Sequence, residues 1–329
     1  MHHHTATSYT PSALAGLIRA LMSRSWAERR AADDLLFTLL SCAQEGRNLA
    51  LEQLWTAAIA ELGEEHEAFI SSLCRFWLDA VAVAFSARMQ AFDRKAVTGT
   101  WEPCASTVDH PDDPVRFGSF DLYGLGISMV LSREATRYAS LVPLWIKGLQ
   151  HPAPVVSHSC WRLLGDCDTE APPALSAMLD LAFRRGPYFA PESPMKALAQ
   201  VIKRHSDGWQ RLETEVRESI NDARIQVLDS VLSHLPTMPE SLFHWVIEQA
   251  AIRPDPMQRY FLFASASRDA ALRGSPAVSD LLATAHEWST SDVREERRAA
   301  AWALAYLGTA ANDESMMLQL LSDTDWQVR

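Results

Sequence analysis

Apolar residues recur at three- and four-residue spacing along almost the whole chain, which is the period of one helix face. The segments "LEQLWTAAIAEL" (51–62), "LVPLWIKGLQ" (141–150), "APPALSAMLDLAF" (171–183), "RIQVLDSVLSHL" (224–235) and "ESMMLQLLSD" (314–323) all carry it. Strand-like alternation is nearly absent. Helices of ordinary length joined by short turns divide the chain into about 15 or 16 helices. The most apolar long window, "FISSLCRFWLDAVAVAF" (69–85), contains Arg75 and Asp79 and predicts a buried helix rather than a membrane span. The lead "MHHHTATSYT" lacks the apolar core and cleavage site of a signal peptide, and no function is assigned to its histidines.

A second pattern lies in the turns. "SRSWAERRAADDLLFTLL" (23–40), "HPDDPVRFGSFDLYGLG" (110–126), "HPAPVVSHSCWRLLGD" (151–166) and "SDVREERRAAAWALAYLG" (291–308) share one template. A polar or Pro-containing turn is followed by an Arg near the helix start, then a small residue and an apolar pair. "ERRAA" occurs at both 28–32 and 296–300. The anchoring positions are Arg29, Arg116, Arg297 and Arg329, with Ser157 and Gln258 at the equivalent point elsewhere; Arg297 and Arg329 stand 32 residues apart. Such a period with two helices per unit marks a helical repeat. One hairpin cannot cover its own apolar stripe, so each unit stacks on the next. The expected fold class is therefore all-α, an α-solenoid of stacked helical hairpins.

The segments "DPVRFGSFDLYG" (113–124), "VVSHSCWRLLG" (155–165) and "SDTDWQVR" (322–329) resemble HEAT repeats, in the short bacterial form with an Asp–Val–Arg turn. The resemblance covers about two thirds of the chain. It implies a right-handed HEAT/ARM-like solenoid and a ladder between turn aspartates and helix arginines. That would make Arg29, Asp113, Arg116, Asp255, Arg297, Asp325 and Arg329 structural; Ser157 interrupts the pattern. The expected organisation is a lead at 1–10, N-terminal helical repeats at 11–93, an irregular loop at 94–113, and a regular array at 114–329. The last repeat reads as incomplete, which raises the expectation of further repeats or self-association at that end.

Composition narrows the chemistry. A net charge of −11 argues against a surface built to hold a phosphate backbone and favours a protein partner with a basic surface. Five cysteines, Cys42, Cys74, Cys104, Cys160 and Cys167, form no CxxC pair and read as reduced thiols of a cytoplasmic protein. The dipeptides His66–Glu67 and His286–Glu287 and the loop acids Asp109, Asp112 and Asp113 with His110 are too sparse to define a metal centre. Neither a phosphate loop nor a nucleophile motif is present, so no cofactor is expected.

With Ala300, Leu304 and Leu307 in the core, Arg294, Arg298, Trp302 and Tyr306 turn away from it. The equivalent positions are His158 and Arg162, with Trp161 beside them, and Arg259 and Phe263 in the 254–268 unit. Arg and aromatic anchors dominate binding energy at protein interfaces. The expected function is an interaction scaffold holding a protein or peptide on its concave face. The alternatives are a HEAT-like enzyme of the DNA glycosylase or lyase kind, or the sensor or spacer arm of a larger multidomain bacterial protein.

Overall fold

The computed structural model describes residues 9–44, 49–63, 65–79, 124–151, 154–167, 171–185, 192–219, 224–308, 314–326 and 328–329. The fold is all-helical: the described residues form sixteen α-helices and no strand. They fall into two compact units, Met1–Ala174 and Leu175–Arg329. The segment 94–113, with Cys104 and the turn residues Asp109, His110, Asp112 and Asp113, lies outside the described residues, as does Arg116.

The first unit contains α1 (Pro11–Ala20), α2 (Trp26–Gln44), α3 (Leu49–Ala60), α4 (66–79), α5 (Leu125–Glu134), α6 (Val142–Gly148) and α7 (Pro154–Asp166). Helix α1 packs on α2 and α3, α2 on α5, α5 on α7, and α6 on α7. Leu36, Ile127, Trp77 and Trp145 are fully buried in this unit. Cys74 and Cys160 are buried there too; burial pushes the Cys74 thiol up to about 11 and the Cys160 thiol higher still, so both stay protonated and unreactive.

The second unit follows α8 (Pro172–Leu179), which runs on into a π-helical turn at Asp180–Arg185. It holds α9 (Glu192–Arg204), α10 (Gly208–Ser219), α11 (Ile225–Leu232), α12 (Glu240–Ile252), α13 (Pro256–Arg273), α14 (Val278–Ser289), α15 (Arg294–Leu307) and α16 (Glu314–Leu321). Helices α9, α11, α13 and α15 pack one on the next. Helix α10 lies against α9, α12 against α13, α14 against α13 and α15, and α16 against α14 and α15. These principal pairs join helices one or two apart in the chain. Apolar stripes at helical spacing, such as Ala300, Leu304 and Leu307 on α15, supply the buried faces.

Helix ends follow from local sequence. Asp255 accepts hydrogen bonds from the Met257 and Gln258 amides at 2.8 and 3.1 Å, Pro256 occupies the first helical position, and Gly274 closes α13 in the left-handed conformation. Asp255 is thus an N-cap. Two other starts share a different device. Ahead of α2, the Arg29 guanidinium reaches back to donate to the Ser23 and Arg24 carbonyls at 2.6 and 2.9 Å. Ahead of α15, Arg297 donates to the Ser291 and Asp292 carbonyls at 3.0 and 3.3 Å. In each turn the first serine hydroxyl donates to the glutamate preceding that arginine, Ser23 to Glu28 and Ser291 to Glu296. The two "ERRAA" copies therefore build the same turn. Arg297 also bonds Asp323 at 2.6 Å, linking its turn to the one after α16. The ladder partner there is Asp323, two residues before the expected Asp325, which lies 3.8 Å from Arg294 instead. Asp323 is placed by accepting from the Asp325 amide at 2.7 Å, so the turn hands its first acid to the arginine.

Asp33 joins α2 to α5. Its carboxylate accepts from the Gly124 and Ile127 amides, both at 2.8 Å, capping α5 from another helix. Gly124 adopts φ 89° there, and a Cβ on Gly126 would run into the Asp33 carbonyl, so both positions require glycine. Burial pushes the Asp33 carboxyl from 3.8 up to about 6, against the pull of the two amides and Arg30. A raised carboxyl contributes stability that is fully present below pH 3.8 and is lost as pH rises through about 6. Replacing Asp33 with Asn therefore removes a loss on the order of 3 kcal/mol across that window. Urea unfolding of both proteins between pH 4 and 7 measures it; parallel stability curves would show that Asp33 does not titrate there.

Candidate functional site

The residues expected to face a partner gather most closely on α13 and α15 of the second unit. Arg294, Arg298, Trp302 and Tyr306 follow one another at four-residue spacing along α15, which places them on one face. Trp302 is 44% exposed and Tyr306 36%, and their rings stack with centroids 5.8 Å apart and planes 24° apart. The Arg298 guanidinium lies over the Tyr260 ring, 4.6 Å from its centroid, and so ties α15 to α13.

Behind this surface the chemistry is buried. Burial raises the Tyr260 phenol, opposed by Arg298 and by the nearby Trp302 indole. Asp229 on α11 is also raised, again by burial, with the Ser265 hydroxyl donating to it at 2.6 Å and Arg268 opposing the shift. Arg259 pairs with Glu296 at 2.7 Å and lies over the Trp288 ring. These contacts fix the side chains under the α15 face and leave its aromatic end in solvent.

Two of the expected contact residues are packed instead. Phe263 is 3% exposed and meets the Trp288 ring at 4.6 Å, and Trp161 is 6% exposed. Helix α13 is flanked by α11, α12, α14 and α15, so a wider arc of it is covered than of α15. In the first unit His158 is exposed, while Arg162 donates to the Ser128 and Ser132 hydroxyls at 3.0 and 2.8 Å. Burial pulls Arg162 below its ordinary value, with Asp166 opposing.

The sequence pattern gave little sign of a polar cluster joining α3, α4 and α5. The buried Glu134 carboxylate accepts from the Trp55 indole at 2.6 Å, pairs with Arg137, and lies 3.4 Å from His66 Nε2. His66 Nδ1 and the Tyr138 hydroxyl are 2.7 Å apart. Burial lowers His66 and raises Tyr138, favouring the neutral form of each. Only the His66–Glu67 dipeptide marked this place, and Glu67 turns aside to accept from Ser140 at 2.6 Å. The carboxylate is shared among groups from several segments, so its chemistry is spent on holding them together.

Two open grooves lie in the second unit. One, of about 570 Å³, is lined by the hydroxyls of Ser289, Thr290, Ser291, Ser322 and Thr324 around the Arg297–Asp323 pair. The other, of about 510 Å³, carries Asp180, Asp207, Glu215 and Glu218 with Arg211. Among the described residues, no group of three or more His, Cys, Asp or Glu side chains could hold a metal ion. Compared with known proteins, the chain matches no family model and no curated protein sequence.

The α15 aromatics and Phe263 should separate cleanly in mutagenesis. Phe263→Ala is expected to cost about 3 to 5 kcal/mol, as large-to-small changes in packed cores do. Trp302→Ala and Tyr306→Ala should each cost less than about 1 kcal/mol, as surface changes do. Denaturant unfolding compares them; a loss at Trp302 equal to that at Phe263 would make Trp302 a core residue and remove it from the site.

Proposed function

We propose that the protein is a HEAT-like helical-repeat scaffold that binds a protein or peptide partner, with the α15 face of the second unit as the contact surface. The stacked, solvent-exposed Trp302–Tyr306 pair, in line with Arg298 and Arg294, carries this reading. Large aromatics left in water on a rigid helix are anchors looking for a partner, and Trp, Tyr and Arg are the residue types that dominate interface energies. Packing between helices one or two apart supports the repeat architecture, because units that bury only their neighbours leave long faces available for recognition. Among the described residues no helix is long and apolar enough to cross a membrane, so the exposed aromatics are not accounted for by a spanning segment.

Capture from a host lysate on immobilised wild-type chain, with the Trp302→Ala, Tyr306→Ala double variant in parallel, tests this. Quantitative mass spectrometry should show a defined set of proteins retained by wild type and depleted at least about tenfold on the double variant. Identical captured sets would place recognition elsewhere.

A further inference from the structure

Arg298 is the odd member of its group. Around it, Arg259 is paired with Glu296, Arg294 with Glu295, and Arg297 with Asp323. Arg298 makes no ion pair with a carboxylate among the described residues and its buried Nε makes no hydrogen bond; the carboxylate that senses its charge, Glu295, is bonded to Arg294. The repeated "ERRAA" turn shows what has changed. In the first copy the equivalent arginine, Arg30, bonds Asp34 one helical turn on, at 3.0 Å. In the second copy the position of Asp34 is taken by Trp302. One copy pairs this arginine with an acid; the other has an exposed aromatic ring at that position.

From this we infer that the α15 face receives an acidic peptide segment, in which an Asp or Glu carboxylate meets Arg298 and a flanking apolar side chain packs on the Trp302–Tyr306 stack. The inference rests on the reading of this face as the docking surface and adds the chemistry of what docks. The Tyr260 ring under the guanidinium and the hydrogen bond between Tyr260 and Arg298 hold the cation in place, and a guanidinium so held offers its remaining N–H groups to a carboxylate. Half-burial of Arg298 means that an incoming carboxylate meets a guanidinium already partly stripped of water. Trp302 follows Arg298 by four residues, so the aromatic step lies one helical turn from the charge. A side chain next to the bound carboxylate spans that distance. Arginine beside stacked aromatics also suits single-stranded nucleic acid, but a chain of net charge −11 opposes a continuous phosphate backbone, whereas a short acidic segment presents few charges.

Selection of a phage-displayed random peptide library on the full chain tests the inference without assuming a sequence. Peptides with Asp or Glu beside an aromatic or large aliphatic residue should be enriched. A labelled synthetic peptide of the consensus should bind Arg298→Gln about 30-fold or more weakly than wild type. Arg298→Lys, which keeps the charge without the fork, should fall between, and circular dichroism confirms that each variant is folded. Enrichment of basic or neutral peptides whose binding is lost in Trp302→Ala would overturn the acidic chemistry while leaving the docking face in place. Acidic peptides that bind Trp302→Ala and Tyr306→Ala as tightly as wild type would overturn the face itself. Binding of labelled oligothymidylate more tightly than the consensus peptide would also overturn the inference, in favour of nucleic acid.

Discussion

An arginine that folds back onto two carbonyls preceding its own helix holds the turn shared by the starts of α2 and α15. The residues of a turn entering a helix carry carbonyls that lie outside the helical hydrogen-bond pattern. Arg29 and Arg297 answer this in the same way, each donating from Nη1 to carbonyls five and six residues back. A guanidinium has five donors in one plane, so serving the turn leaves another edge or face free for a neighbour. Arg29 presents its face to the rings of Trp26 and Phe76, each centroid 5.5 Å away, while Arg297 presents an edge to Asp323. One internal device thus admits different partners outside it.

The features that read correctly from sequence are those decided within one or two turns of helix. The stripe of Ala300, Leu304 and Leu307 on α15 is buried while Trp302 and Tyr306 are exposed; Asp255, expected as a ladder residue, caps α13 instead. Features set by distant neighbours could not be read this way. Phe263 stands on α13 where an α15-based template puts an exposed residue, yet α13 has helices on more sides. Nothing near Asp33 in the sequence marks its role, because its partners Gly124 and Ile127 lie 91 and 94 residues away. Glu134 likewise needs Trp55 and His66 from two earlier helices before it becomes a buried hub. Periodicity reports which face of a helix is apolar, but not how many neighbours press against it.

The two "ERRAA" turns separate what the repeat needs from what it can give up. Glu28 and Glu296, Arg29 and Arg297, and the small residues Ala32 and Ala300 keep their places because the turn and the close helix packing depend on them. The second arginine does not share that constraint. Arg30 is buried and is neutralised by Asp34 within its own helix, whereas the residue one turn beyond Arg298 is Trp302. Tryptophan at that position sets a half-buried cation and an aromatic surface side by side.

Charge at a distance and charge in contact then make opposite demands. The field of a chain at −11 favours the approach of basic surfaces, but at about 0.15 M salt that field is screened within about 8 Å. Inside that distance the balance around Arg298 is local, and its three arginine neighbours are already matched with carboxylates. Adding another cation there would leave Arg298 facing like charge, whereas a further carboxylate would give Arg298 an ion pair of its own beside the Glu295 it shares with Arg294. Overall charge governs which molecules accumulate near the protein; the half-buried Arg298 guanidinium governs which of them fits the α15 face.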